Sequence, residues 1–263
     1  MIIQRMALGV RYDGTVYHGW QSQDGLKTVQ AELERALGFV ADHTVNLICA
    51  GRTDSGVHAT SQVIHFNTEA ERSDYSWIFG ANSNLSRDIS ISWAQKVDMQ
   101  FHARFSATYR RYRYVIYNHP TRPAIMRHQV TWHHKPLNEV DMQAAANVLL
   151  GEHDFTSFRG ANCQAKTPTR TIKEITVTRH NYLITVDITA NAFLHHMVRN
   201  ILGVLLPIGE GRKPVEWALD VLNAKNRSQA GMTASPNGLY LVEVGYPDEY
   251  TLPRMPVGPF FLH

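Results

Sequence analysis

The sequence predicts an α+β protein of two ferredoxin-like halves, each running β-α-β-β-α-β. Three observations predict it. Short apolar runs alternate with period two, longer ones repeat at helical spacing, and the order of these runs in the N-terminal part recurs in the C-terminal part. The two parts share negligible sequence identity, so the repeat rests on element order alone.

In the first half, Ala7 to Tyr12 reads as a strand. Thr28 to Val40 reads as a helix, because Val29, Leu33, Ala36, Leu37 and Val40 fall on one face. Val45 to Ala50 and Gln62 to Phe66 read as strands on either side of a Gly-rich turn. Ser73 caps a short helix to Gly80, and Ile89 to Val97 alternates as a strand. In the second half, Thr108 to Asn118 reads as a strand and Asn138 to Leu150 as a helix, with Asn138 as its cap and Gly151 as its stop. Arg170 to Thr178 and Leu183 to Thr189 pair as strands across His180-Asn181. Ala192 to Leu206 reads as a mostly apolar helix, Pro214 opens another through Leu222, and Leu239 to Val244 is a last strand. Pro253, Pro256 and Pro259 make the tail an extended segment. The boundary falls near residue 104, giving halves 1–103 and 104–263.

At 263 residues, with 44% hydrophobic and 19% charged content, the chain has enough apolar surface for a substantial core. Its two cysteines, Cys49 and Cys163, have no paired metal spacing and fit a reducing cytoplasmic setting rather than a disulfide framework. The N-terminus is too short in apolar length for a signal peptide, and the longest apolar stretch, Ile201 to Ile208, is far below a membrane span. The net charge is only +3, yet no acidic residue lies between Asp98 and Glu139. That block carries Arg104, Arg110, Arg111, Arg113, Arg122, Arg127 and Lys135 among aromatic residues, the footprint of a surface for a polyanion.

Ala50-Gly51-Arg52-Thr53-Asp54-Ser55-Gly56-Val57-His58-Ala59 is the most informative stretch. It presents one carboxylate between two glycines, just after an apolar run. Glycine permits close approach of another chain, and Arg52 supplies a positive charge beside Asp54. A second pattern is the strand Thr108 to Tyr117. Period two puts Tyr112, Tyr114 and Ile116 on one face and Arg111, Arg113 and Val115 on the other, offering stacking and phosphate contacts together. The third is Arg199, the odd charged member of an apolar helix, which needs a buried partner.

These segments resemble the TruA family of tRNA pseudouridine synthases, which act on the anticodon stem-loop. Gly51-Arg52-Thr53-Asp54 with Gly56-Val57-His58 is similar to its catalytic motif. Tyr12-Asp13-Gly14 with Tyr17-His18-Gly19-Trp20-Gln21 is similar to its N-terminal signature. Phe101 to Ala107 with Arg111-Tyr112-Arg113-Tyr114, and Asn191 to Asn200, match two more, in the expected order. Ser55 departs from the alanine common in relatives, but both are small.

The resemblance implies two halves whose antiparallel sheets join around a central active-site cleft. It implies isomerisation of uridine to pseudouridine at tRNA positions 38, 39 and 40. Asp54 would be the catalytic nucleophile or base, Tyr112 would stack on the flipped uracil, and Arg199 would pair with Asp54. Whether Asp54 attacks C1′, attacks C6 or deprotonates C2′ stays open. Arg52 and Arg104 are further substrate-binding candidates, Arg104 because it lies in the matched Phe-His-Ala-Arg-Phe run. Arg110, Arg111, Arg159, Lys166, Arg170 and Lys173 are candidates for the RNA backbone. Asp13, Gly14 and Trp20 read as structural to their loop. The expected partners are tRNA and a second copy of the chain in a homodimer, with no membrane.

No cofactor is expected, since the reaction only rearranges atoms and no P-loop or G-x-G-x-x-G follows a strand. No metal is expected, since His195 and His196 are adjacent and the remaining histidines lack ligand spacing. The competing reading is a non-catalytic RNA-binding protein of ferredoxin-like fold. Against it, no RNP1-type run occurs, and Asp54 would repel phosphate. A His/Asp hydrolase is suggested only by the fourteen histidines.

Overall fold

The computed structural model describes residues 2–161 and 163–262 and is a mixed α+β protein. The chain divides into two compact units, one of residues 1–108 with 240–263 and one of residues 109–239.

The first unit opens with β1 (Gln4–Tyr12), α1 (Val29–Ala41), β2 (Ile48–Cys49) and β3 (His58–Thr68). It continues with α2 (Asp74–Asn84) and β4 (Ile89–Val97). Strand β1 lies antiparallel between β3 and β4, and β2 is antiparallel to β3. Far along the chain, β10 (Leu239–Gly245) returns parallel to the start of β3, with Tyr240 opposite His58 and Leu241 opposite Ala59.

Helix α1 buries Val29, Leu33, Ala36, Leu37 and Ala41, the 3.6-residue stripe read from the sequence with Ala41 in place of Val40. Val40 instead lies against Gly80 of α2, where an added Cβ would come within 3.0 Å of it. The Ser73 side chain caps α2 at the Ser76 N–H, as expected. Trp77 of α2 meets Phe66 of β3 edge to face at 5.3 Å, seating α2 on the sheet. The opposite face of β3 carries Val63, in a cluster with Ala7, Ala50, Trp93, Phe101 and Ala103, flanked by Tyr246, Tyr250, Leu252 and Met255. Strand β2 is shorter than the predicted 45–50 run: Ile48 and Cys49 pair in register with β3, and Ala50 adds one further bond to it, from its N–H to the Val63 carbonyl at 2.8 Å.

The second unit holds β5 (Tyr109–Asn118), β6 (Thr131–His133), α3 (Glu139–Asn147) and β7 (Gly151–Asp154). Then come β8 (Thr169–His180), β9 (Leu183–Ala190), α4 (Met197–Gly209) and α5 (Trp217–Ala224). Strands β5, β9, β8 and β7 pair antiparallel in that order, and β6 runs parallel to β5. The β8–β9 hairpin turns at Asn181, which takes a left-handed φ of 53°, a conformation asparagine tolerates. Asn138 caps α3 by accepting from the N–H groups of Val140 and Asp141.

Helix α4 begins five residues later than its apolar pattern suggests. His196, at φ 61°, is left-handed and ends the preceding turn, so residues 192–196 form a loop. His195 and His196 therefore do not project from two sides of a helix; their rings stack on each other at 3.8 Å. Among the described residues no helix is long and apolar enough to cross a membrane.

Candidate active site

Asp54 sits in the turn between β2 and β3, half-buried, with Arg52 exposed beside it. The turn is held by the N-terminal segment 12–20. Trp20 N–H donates to the Thr53 carbonyl at 3.0 Å. The Tyr17 carbonyl accepts from the Ser55 hydroxyl at 3.1 Å and from the Gly56 N–H at 3.4 Å. Val57 N–H closes the turn onto the Asp54 carbonyl, and Gly56 takes a φ of 78°. Two glycines make the close approach possible. A Cβ on Gly14 would lie 2.0 Å from the Val57 carbonyl oxygen, and one on Gly19 would lie 2.9 Å from that of Thr53.

Below the turn, the Tyr12 and Thr53 hydroxyls meet at 2.8 Å. Gln62 of β3 donates to the Gly51 carbonyl at 2.6 Å and receives the Gly51 N–H at 3.3 Å. Burial pushes the Tyr12 phenol well above its ordinary range, so the buried hydroxyl stays protonated. Behind the turn, buried His58 stacks on Tyr240 at 4.7 Å. Its Nδ1 lies 3.1 Å from the Asp13 carboxylate and 3.1 Å from the Gly14 nitrogen. One ring nitrogen either donates to the carboxylate or accepts from the amide, so the tautomer of His58 selects between the two. The His58 bond, with lesser help from Thr15, holds the Asp13 carboxyl well below the usual carboxylate range. These are the structural roles expected of Asp13, Gly14 and Trp20.

Arg52 and Arg104 come into one electrostatic neighbourhood, the Cys49 thiol. Burial pushes that thiol up to about 12, against the pull of both arginines. Arg104 is exposed in the loop that follows β4, whose base shares the Ala50–Ala103 cluster with the Asp54 turn.

In the second unit, Tyr112 is 8% exposed and meets Phe193 edge to face at 4.9 Å. The strand alternates as predicted, with Tyr112, Tyr114 and Ile116 buried together. Arg110 belongs to the same face. It is 8% exposed and donates to the Asn191 carbonyl, so it anchors the segment after β9 rather than lying on the surface as expected. Arg111 and Arg113, on the other face, share buried Asp187 of β9 at 2.9 and 3.0 Å. Asp187 is the acidic partner the basic strand requires, and sequence reading missed it because its place opposite Arg113 depends on the β5–β9 register.

Arg199, half-buried on α4, donates from Nε to the Ala234 carbonyl at 2.8 Å. Its charge also reaches the buried Tyr114 hydroxyl, which donates to the Ser235 carbonyl. The neighbouring Asn200 accepts from Arg227 and Thr233, and Gly203 packs on Met232 with no room for a Cβ. Segment 231–235 is thus clamped to α4. Arg159 donates to the Cys163 and Ala165 carbonyls, and Arg170 to those of Thr167 and Thr169. Both arginines shape the loop that carries exposed Lys166, while Lys173 is exposed on β8 and lies 5.6 Å from the Tyr109 ring.

Comparison with known proteins supplies the class. A family profile described as tRNA pseudouridine synthase matches residues 9–106 and 145–247. A protein of Coxiella burnetii (strain Dugway 5J108-111) named tRNA pseudouridine synthase A is 60% identical over 258 residues, covering 98% of this chain and 99% of that protein. One of Shewanella loihica (strain ATCC BAA-1088 / PV-4) with the same name is 56% identical over the same shares of both chains. The chain belongs to the tRNA pseudouridine synthase family.

Proposed function

We propose that this protein isomerises uridine to pseudouridine in the anticodon stem-loop of tRNA, at positions 38, 39 and 40, with Asp54 as the catalytic carboxylate. Family membership supports the reaction. The observation that carries the residue assignment is the locked turn around Asp54, whose backbone is tied to Tyr17, Trp20 and, through Thr53, to Tyr12. A nucleophile or base acts best when its geometry is fixed before the substrate arrives.

The target uridine leaves its stack at a cost of a few kcal/mol. Stacking on Tyr112 offsets about 1–3 kcal/mol of that. Asp54 then acts on the nucleotide, the N1–C1′ bond breaks, the uracil turns, and C5 bonds to C1′. The C5 proton leaves to water while N1 takes one up, so no net oxidation occurs. Arg199 pairs with Asp54 in this reading, and Arg52 and Arg104 line the approach of the RNA. Among the backbone candidates, exposed Lys166 and Lys173 touch phosphates directly, while Arg159 and Arg170 hold the loop that presents Lys166.

Two ferredoxin-like halves, with the Asp54 turn in the first and the Tyr112 strand and Arg199 helix in the second, are the architecture this reading adopts. The first unit's β1-α1-β2-β3-α2-β4 order supports it. A cytoplasmic homodimer completes the proposal. The test is tritium release from tRNA transcripts labelled at uracil C5, with no metal or nucleotide added. Release by wild type and none by Asp54→Asn is expected. Binding without release from any transcript would leave an RNA-binding protein in place of an enzyme.

A further inference from the structure

Residues 101–106 form a tight loop that buries Phe101 and Ala103 fully while leaving Phe105 75% exposed. The loop is pinned throughout. Arg5 donates to the Met99 and Phe101 carbonyls, at 2.7 and 2.6 Å. Buried His65 accepts the Ala103 N–H through Nδ1 at 3.1 Å, and Tyr246 donates its hydroxyl to the Ala103 carbonyl at 2.7 Å. His102 accepts the N–H groups of both Arg104 and Phe105 through Nδ1, at 3.2 and 3.1 Å. The Ser106 N–H and hydroxyl close the loop back on the His102 backbone.

So fixed a loop holds its exposed ring in one place. The Phe105 ring lies 4.3 Å from that of His102, inclined at 31°, and the Arg104 guanidinium sits 5.5 Å from its centroid. An exposed aromatic ring buttressed by a second ring and accompanied by a cation is what a nucleobase requires: a flat apolar face to stack on and a positive charge for the adjoining phosphate. The position fits. Ala103 shares a core cluster with Ala50, four residues before Asp54, and Arg104 and Arg52 both act on the Cys49 thiol. The acid-free block from 99 to 138 begins two residues before the loop.

We propose that Phe105, with Arg104, is a second stacking subsite that holds an unpaired base of the RNA loop other than the uridine being isomerised. This rests on the isomerase reading for its RNA. Holding a neighbouring base out of the stack would lower the cost of extruding the target, because each unstacked neighbour leaves the target with less to lose.

The test uses the full-length protein, wild type beside Phe105→Ala, Phe105→Leu and Phe105→Trp. Each is titrated with anticodon stem-loop RNAs carrying 2-aminopurine at one loop position at a time. At one position away from the isomerised uridine, wild type and Phe105→Trp should quench the probe; Ala and Leu should not. Affinity should fall about tenfold in Phe105→Ala, in the range of a lost aromatic–base stack. Leucine keeps apolar bulk, so its loss of quenching separates stacking from simple hydrophobic contact. Unchanged melting of the variants is expected from the ring's exposure. Wild-type affinity and an unaltered quenching profile in Phe105→Ala would overturn the subsite. The same preparations are assayed for tritium release. No release by wild type, with the Phe105 effect present, would overturn the isomerase and leave the subsite standing.

Discussion

The hydroxyls of Tyr12 and Thr53 meet at 2.8 Å in a buried position, joining the end of the first strand to the residue before Asp54. Gln62 reaches the same phenol at 3.4 Å and binds Gly51 on both its amide and its carbonyl. The start of the turn is therefore built on two strands rather than on its own residues.

Tyr12→Phe removes one partner and leaves the Thr53 hydroxyl buried with less to bond. A loss of about 1 kcal/mol in urea unfolding is expected. Turnover should fall while RNA affinity stays close to wild type, since the change loosens Asp54 and not the RNA surface. Equal single-turnover rates for the two proteins would show that the turn does not depend on this bond.

Asp54→Asn is isosteric in a half-buried turn, so the fold should persist. Tritium release should vanish and RNA binding should stay within a few-fold, read by filter retention. Retained release would remove Asp54 from the chemistry.

Tyr112→Ala opens a cavity beside Phe193 and removes the ring proposed to stack on the uracil. Turnover should drop strongly, together with about 3 kcal/mol or more of stability. Tyr112→Phe keeps the ring and its edge-to-face contact and should bind RNA like wild type. Measuring both separates the ring from its hydroxyl, and full activity in the alanine variant would end the stacking role.

Arg199→Ala loses a charge-assisted bond to the Ala234 carbonyl, worth about 1.5–3 kcal/mol. Arg199→Lys keeps the charge without the planar Nε–H, so it should recover little of the Ala234 contact. If Arg199 also serves Asp54, the lysine variant should regain more activity than stability. A melting curve and turnover identical to wild type in the alanine variant would rule out both roles.

His65 gives a pH signature. Burial, with the charge of Arg5 next, pulls its pKa down to about 4, against an ordinary value of 6.5. Its folded form therefore prefers the neutral ring, which accepts the Ala103 N–H. Unfolded chains bind this proton first as pH falls, so the stability it supports is full above pH 6.5 and declines between 6.5 and about 4. A shift of that size is worth up to about 3 kcal/mol. Urea melts across this window should show the decline, and His65→Gln should flatten it.

Much of this fold is legible in the sequence. Helix α1 follows from five apolar residues on one stripe, and β4 from the alternation of Ile89, Ile91 and Trp93 with Ser90 and Ser92 over its first half. The Asp54 turn is announced by its glycines. Other features escape sequence reading for identifiable reasons. Strand β7, Gly-Glu-His-Asp, has no apolar alternation and exists because it pairs at the edge of β8. The start of α4 is set by one left-handed histidine, which no apolar pattern reveals. Arg110 had a usable signal: it shares the parity of Tyr112 and Tyr114, so it had to face inward with them. Asp187 had none, because a residue 74 positions beyond Arg113 is brought opposite it only by sheet register. The His58–Tyr240 stack is hidden in the same way, by a parallel pairing between distant strands.

The placement of β10 has a consequence for synthesis. Residues 240–263 belong to the first unit, where Tyr240 and Leu241 pair with the start of β3 and Tyr246, Tyr250, Leu252 and Met255 pack against the Phe101 cluster. A chain leaving the ribosome thus exposes the opening edge of β3, and leaves Phe101 without its Tyr246 and Tyr250 neighbours, until all of residues 109–239 have been translated. The usual order, in which the N-terminal unit finishes first, is reversed. Translation stalled before Tyr240 would leave an unpaired strand edge beside the Asp54 turn, a template for misassociation that a nascent-chain chaperone would have to cover.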